Sequence, residues 1–180
     1  MAKTKLTQET TCDWWAVYCG WRIHTTRPDI AYYCSRLAMF SKCPTKRHEY
    51  FALCVLGYLI KTKDMGITYG GKLNMPVGLD SYPERFIESL GLHTYHVSSW
   101  GREVSPFGGY IIMMNNGAIA WAARKVRIVP DSTAEAETAV ASRAAKDTVA
   151  VRMILKDLSD DVHGPTPMLL ISFVEQQKIS

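Results

Sequence analysis

The stretch that most constrains this chain covers residues 132–158, STAEAETAVASRAAKDTVAVRMILKDL. It reads as one long amphipathic helix opening on a Ser/Thr cap, with Glu135 and Glu137 in its first turns. Apolar runs of strand character precede it at 92–97, 109–114 and 118–122, and another at 168–174 follows and ends on Glu175. Asn115-Asn116-Gly117 predicts a tight hairpin between the second and third runs, because Asn and Gly tolerate positive φ. The order strand, strand, strand, helix, strand predicts an α/β layer. Its three antiparallel strands feed a helix that crosses over to a fourth, parallel strand. One carboxylate near a helix start and a second at the end of the following strand make the skeleton of a metal-dependent nuclease.

The first part of the chain reads differently. Residues 1–12 are polar and expected to be loose, and 13–70 form a mostly helical unit. Asp13 is placed to cap a short helix carrying Trp14, Trp15, Val17, Tyr18 and Trp21, a load better suited to packing than to base stacking. Pro28 sits in the first turn of a second helix, whose apolar stripe is read as Ile30, Tyr33, Leu37 and Phe40. Thr45 caps a third helix with Phe51, Val55, Tyr58 and Leu59 on one face, and a short strand is expected over 66–69. Gly70-Gly71, Pro76, Gly78 and Pro83 punctuate 71–91, the connector to a second unit at 92–180. A short helix is expected over 83–90.

Composition sets wide bounds. A chain of 180 residues with 47% hydrophobic content builds an ordinary globular core, and a net charge of +4 permits nucleic-acid binding without arguing for it. All five cysteines lie between Cys12 and Cys54, with no CxxC pair. An odd number without that spacing points to reduced thiols in an intracellular protein, each read as a small buried hydrophobe. No secretory signal and no run of about 20 apolar residues is present, so a membrane-spanning role is not expected.

Several blocks then fall in a familiar order. Thr26-Arg27-Pro28-Asp29-Ile30-Ala31-Tyr32, Ser35-Arg36-Leu37, Pro44-Thr45, His48, Tyr58-Leu59 and 61–69, KTKDMGITY, are followed by Gly109-Tyr110, Gly117-Ala118-Ile119-Ala120-Trp121, Arg124-Lys125 and Ser132-Thr133-Ala134-Glu135-Ala136-Glu137. Together they closely resemble the segment of copia-type LTR retrotransposon Pol polyproteins in which the reverse transcriptase ends and the RNase H domain begins. The resemblance covers roughly residues 14–177. It implies a thumb-like helical unit followed by a C-terminally truncated RNase H-like fold, α+β overall. In that family, carboxylates on the first strand, the long helix, the fourth strand and a later helix hold two magnesium ions about 4 Å apart for cleaving RNA in an RNA–DNA hybrid.

Matched residue by residue, the site is depleted. The first-strand aspartate corresponds to Val97, three residues ahead of Trp100, and valine offers no lone pair. Glu137 matches the helix glutamate, leaving Glu135 as a first-turn partner of the helix dipole, and Glu175 stands where the fourth strand has an aspartate. The sequence ends at Ser180, ahead of the position of the fourth carboxylate. Glu137 and Glu175 are thus the expected remnant of a catalytic, Mg²⁺-binding set, in a retroelement fragment expected to bind no metal and to have no independent activity. The alternatives are a domesticated nucleic-acid- or protein-binding module, with Arg124, Lys125 and Arg127 as contacts, and an active Mg²⁺-dependent ribonuclease H. The expected partners are an RNA–DNA hybrid or other nucleic acid, and the remainder of a Pol polyprotein or another protein covering the open sheet.

Overall fold

The computed structural model describes residues 26–70, 91–99, 106–158 and 164–170. The helices expected over 13–21 and 83–90, and the strand end carrying Glu175, lie outside the described residues. The chain divides into two compact units, Met1–Ile67 and Thr68–Ser180.

In the first unit a 3-10 turn, Pro28–Ile30, leads into helix α1, Ala31–Ala38, and then helix α2, Lys46–Lys61. Pro28 opens the turn where a missing N–H costs nothing. Thr45 precedes α2 in extended conformation, and its backbone N–H donates to His48 Nδ1 at 3.1 Å, which meets one orphan donor of the helix start. The Thr-Arg-Pro-Asp motif ties the 3-10 turn to the end of α2. Arg27, only 4% exposed, forks onto Asp29 through Nε to Oδ1 at 3.0 Å and Nη2 to Oδ2 at 2.8 Å. Its Nη1 donates to the Thr62 carbonyl at 2.9 Å and its Nη2 to Thr62 Oγ1 at 2.7 Å, just past the end of α2. Tyr58 OH adds a bond to Asp29 Oδ2 at 2.9 Å. A buried guanidinium is tolerated here because its fork geometry is matched on both sides.

The helical stripes need correction. Ile30, Ala31, Cys34, Val55 and Leu59 are the buried apolar residues of this unit, whereas Tyr33, Phe40, Phe51 and Tyr58 are exposed. In the first helix the buried line runs Ile30, Ala31 and Cys34, at i, i+1 and i+4, rather than through Tyr33 and Phe40. Tyr58 is held by its hydroxyl at Asp29, and Phe51 lies beneath the Arg47 guanidinium at 5.6 Å. Cys34 is buried as expected, but Cys43 and Cys54 are exposed free thiols.

The second unit is a four-stranded sheet in the order β3-β2-β1-β4. Strands β1, Leu92–Ser98, β2, Phe107–Met114, and β3, Gly117–Lys125, are antiparallel neighbours. After helix α3, Thr133–Asp157, strand β4, Met168–Leu170, pairs in parallel with β1. This is the mixed α/β, RNase H-like arrangement expected. Asn115 and Asn116 take φ of 51° and 63°, the left-handed pair that a two-residue hairpin turn requires. No strand forms over 66–69. Tyr69 OH donates instead to the Ala118 carbonyl at 2.8 Å, and the Gly70 N–H to the Asn115 carbonyl at 2.8 Å, so this segment braces the hairpin. Gly117 is needed there, since a Cβ would run into the Tyr69 ring.

Helix α3 lies on the sheet through Ala136, Val140, Ala144 and Thr148, an i, i+4 ridge of small side chains that lets the helix approach closely. Thr148 Oγ1 meets Thr94 Oγ1 at 2.9 Å in the buried interface. Ser132 Oγ accepts from the Glu135 N–H at 3.2 Å, and Glu135 Oε2 accepts from the Asp131 N–H at 2.7 Å. Glu135 is therefore spent on closing the cap. At the other end of α3, Arg152 Nη1 donates to the Gly164 carbonyl and Thr166 Oγ1, both at 2.7 Å, steering the crossover into β4.

Candidate functional site

The candidate site lies where the C-terminal end of β1 meets the first turns of α3. Strand alternation decides which β1 side chains look at the helix. Thr94 touches Thr148, and a Cβ built on Gly108, the partner of Ser98, would strike Val140. Positions 92, 94, 96 and 98 therefore face α3, while His93, Tyr95 and Val97 face the other way. Val97, paired with Gly109, is on the face opposite Glu137.

The groups that share the helix side with Glu137 are His96 and Ser98. His96 is 8% exposed and stands between Tyr110 on β2 and Leu170 on β4. Burial lowers its pKa, and the nearby Glu137 carboxylate pushes partly back. His96 Nδ1 and Ser98 Oγ are both buried without a hydrogen-bond partner. Orphaned polar atoms of this kind carry a desolvation cost of about 1–3 kcal/mol each. On the opposite face His93 and Tyr95 stack edge to face at 5.3 Å. Burial lowers the His93 pKa and pushes that of Tyr95 up to about 12.

Farther along the helix side, Tyr110 OH hydrogen-bonds Asp147, which also stands 3.6 Å from Arg143. Burial first, then Asp147, raises the Tyr110 phenol to about 12, against the pull of Arg124 and Arg143. Arg124, Lys125 and Arg127 are all exposed. Alternation sends Arg124 to the helix side of β3 and Lys125 to the other, and Arg127 lies beyond the strand end. Arg124 is instead grouped with Arg143 around Tyr110, a basic residue that sequence spacing gave no reason to single out. Among the described residues no three His, Cys, Asp or Glu side chains are gathered as metal ligands.

No family model and no solved structure matches the chain. Curated proteins do. The retrovirus-related Pol polyprotein from transposon RE2 of Arabidopsis thaliana is 27% identical over 143 residues, 78% of this chain and 9% of the relative. That from transposon RE1 of the same plant is 31% identical over 115 residues, 62% of this chain and 7% of the relative. A putative transposon Ty5-1 protein of Saccharomyces cerevisiae is 30% identical over 122 residues, 66% of this chain and 35% of the relative. The chain is related to the Pol polyproteins of retrotransposons. It spans about a third of the yeast relative and less than a tenth of either plant one. No described helix of this Pol-related chain is long and apolar enough to cross a membrane.

Among the described residues, the donors beside Glu137 do not fit a pair of magnesium ions. Mg²⁺ takes hard, anionic oxygen ligands in a nearly ideal octahedron, and the helix side of β1 offers an imidazole and a neutral hydroxyl. The buried, unpartnered Nδ1 of His96 is a nitrogen donor that magnesium disfavours.

Proposed function

We propose that this chain is the piece of a copia-type Pol polyprotein in which the reverse transcriptase runs into RNase H, and that it has no ribonuclease activity of its own. The observation that carries the reading is the make-up of the β1 end: the Glu137 carboxylate acts on His96, and the helix side of the strand, Leu92, Thr94, His96 and Ser98, carries no carboxylate. A two-metal hydrolase needs anionic oxygens bridging both ions, and loss of one well-placed electrostatic group costs about 3–4 kcal/mol in the transition state. Val97→Asp does not repair this, because its carboxylate leaves β1 on the face opposite α3.

The remainder of a Pol polyprotein is the partner this reading favours. Val149, Met153, Ile154 and Leu158 on the second half of α3 are exposed, an apolar surface suited to cover by further protein. The test of the site is Mn²⁺ binding, followed by electron paramagnetic resonance on the full chain and on Glu137→Gln. The expected result is the same weak, nonsaturating uptake by both. A saturable site present in the parent and lost in Glu137→Gln overturns the reading.

A further inference from the structure

Helix α2 buries only Val55 and Leu59 along its 16 residues. On the opposite side Tyr50, Leu53 and Ile60 are 64%, 60% and 65% exposed, and Cys54 is exposed between them. With Gly57 these fall at i, i+3, i+4, i+7 and i+10, a continuous stripe on one helical face. That is the spacing of anchors in helix-to-helix recognition. Gly57 has open space where a Cβ would sit, with nothing within 4 Å, so a partner backbone can come close at the middle of the stripe. Lys46 and Lys61, both exposed, lie in line with the stripe and close it at either end, about 22 Å apart along the axis. Arg47 adds positive charge beside the first of them, and Glu49 stands to one side.

This pattern discriminates among occupants. A second copy of α2, antiparallel or parallel, brings lysine against lysine at both ends, and like charges in register are unfavourable. A nucleic acid would use the cations, but Leu53 and Ile60 offer no ring to stack on, and Tyr50 is the stripe's single aromatic. An amphipathic helix with an apolar stripe and acidic residues at both ends satisfies the apolar surface and both charges. We infer that the outer face of α2 is a docking surface for an acidic-ended amphipathic helix of a protein partner. The inference is independent of the ribonuclease reading, which concerns the other unit.

The probe is a fluorescein-labelled four-turn helical peptide with leucines at alternating three- and four-residue spacing and glutamates at both ends, beside a counterpart carrying lysines there. Anisotropy with the full chain is expected to show saturable binding of the glutamate-ended peptide, about tenfold or more tighter than its counterpart. Leu53→Asp and Ile60→Asp, both at exposed positions and checked for folding by circular dichroism, are expected to weaken it about tenfold or more. Lys46→Glu with Lys61→Glu is expected to reverse the preference toward the lysine-ended peptide. Equal binding of the two peptides, or none, overturns the inference, as does binding that survives Leu53→Asp. Self-association in sedimentation velocity, or single-stranded RNA binding, that Leu53→Asp removes assigns the stripe to a different occupant and equally overturns it.

Discussion

Gly108→Ala probes the contact that sets which side of β1 faces α3. A Cβ at Gly108 would overlap Val140 Cγ2 and stand 3.3 Å from Val140 Cβ and Cγ1. Carbon atoms rest at about 3.5–4.0 Å, so the new methyl has no room. Val140 is 5% exposed in the middle of a helical ridge, and a β-branched side chain in a helix has one strongly preferred rotamer, so it cannot swing aside. Overpacking of this kind costs about 1–3 kcal/mol. Val140→Ala removes both γ carbons and alone costs about 1–3 kcal/mol in lost burial. In the double variant the Cβ at Gly108 occupies the space that Val140 vacated. The two changes should therefore compensate, with a coupling of about 1–2 kcal/mol. A global melt blends the two units, so the reading belongs to hydrogen exchange of peptides covering β2 and the first half of α3. A 2 kcal/mol loss speeds exchange there about thirtyfold in Gly108→Ala, and the double variant recovers much of it. Wild-type exchange in Gly108→Ala, or simple addition of the two effects, refutes the packing and with it the assignment of His96 and Ser98 to the helix side.

Further outcomes follow from the same structure. Burial lowers the pKa of both His93 and His96, so the unfolded chain takes up protons first as pH falls below the ordinary histidine value of about 6.5. Stability of the sheet is therefore full above that pH and declines below it, which denaturant titrations between neutral and acidic pH measure. A flat profile contradicts the buried placement. Glu137→Gln removes the charge that partly supports the protonated imidazole, so the His96 titration midpoint in NMR should move further down, and an unchanged midpoint separates the two side chains. Asp29→Ala leaves the buried Arg27 without its fork partner and Tyr58 without its acceptor. That should cost about 1–3 kcal/mol, seen as faster exchange at 28–38 with β2 unaffected. Ser132→Ala removes an N-cap worth about 1 kcal/mol, read as fraying of the first turn of α3.

Where a local signal specified the structure, it was readable in advance. Asn115-Asn116-Gly117 has the residues a left-handed turn demands, and Ser132 has the side chain of a helix cap, which accepts from the Glu135 N–H. The hairpin and the long helix follow from these, and the crossover follows from the order of the apolar runs. What the sequence does not carry is phase. Matching Val97 to a family position fixes its place along the chain, but its face depends on contacts far along the chain, such as that between Thr94 and Thr148, 54 residues apart. The same holds for Arg124 and Lys125, adjacent in sequence and opposite in direction. In the helical unit the buried line runs through Ile30, Ala31 and Cys34 instead of Tyr33 and Phe40, and the Arg27 fork shows why a charged residue ahead of Pro28 is buried. The strand expected over 66–69 had the right residues for extension. Tyr69 found a hydrogen-bond partner at Ala118 without forming one.

Among the described residues, no carboxylate stands on β1 across from Glu137. The measurement that tests it most directly is single-turnover cleavage of a labelled RNA–DNA hybrid by excess full chain in Mg²⁺ or Mn²⁺, beside Glu137→Gln. The account predicts identical, background-level strand loss for the two proteins. Metal-dependent cleavage by the parent chain that Glu137→Gln abolishes would contradict it.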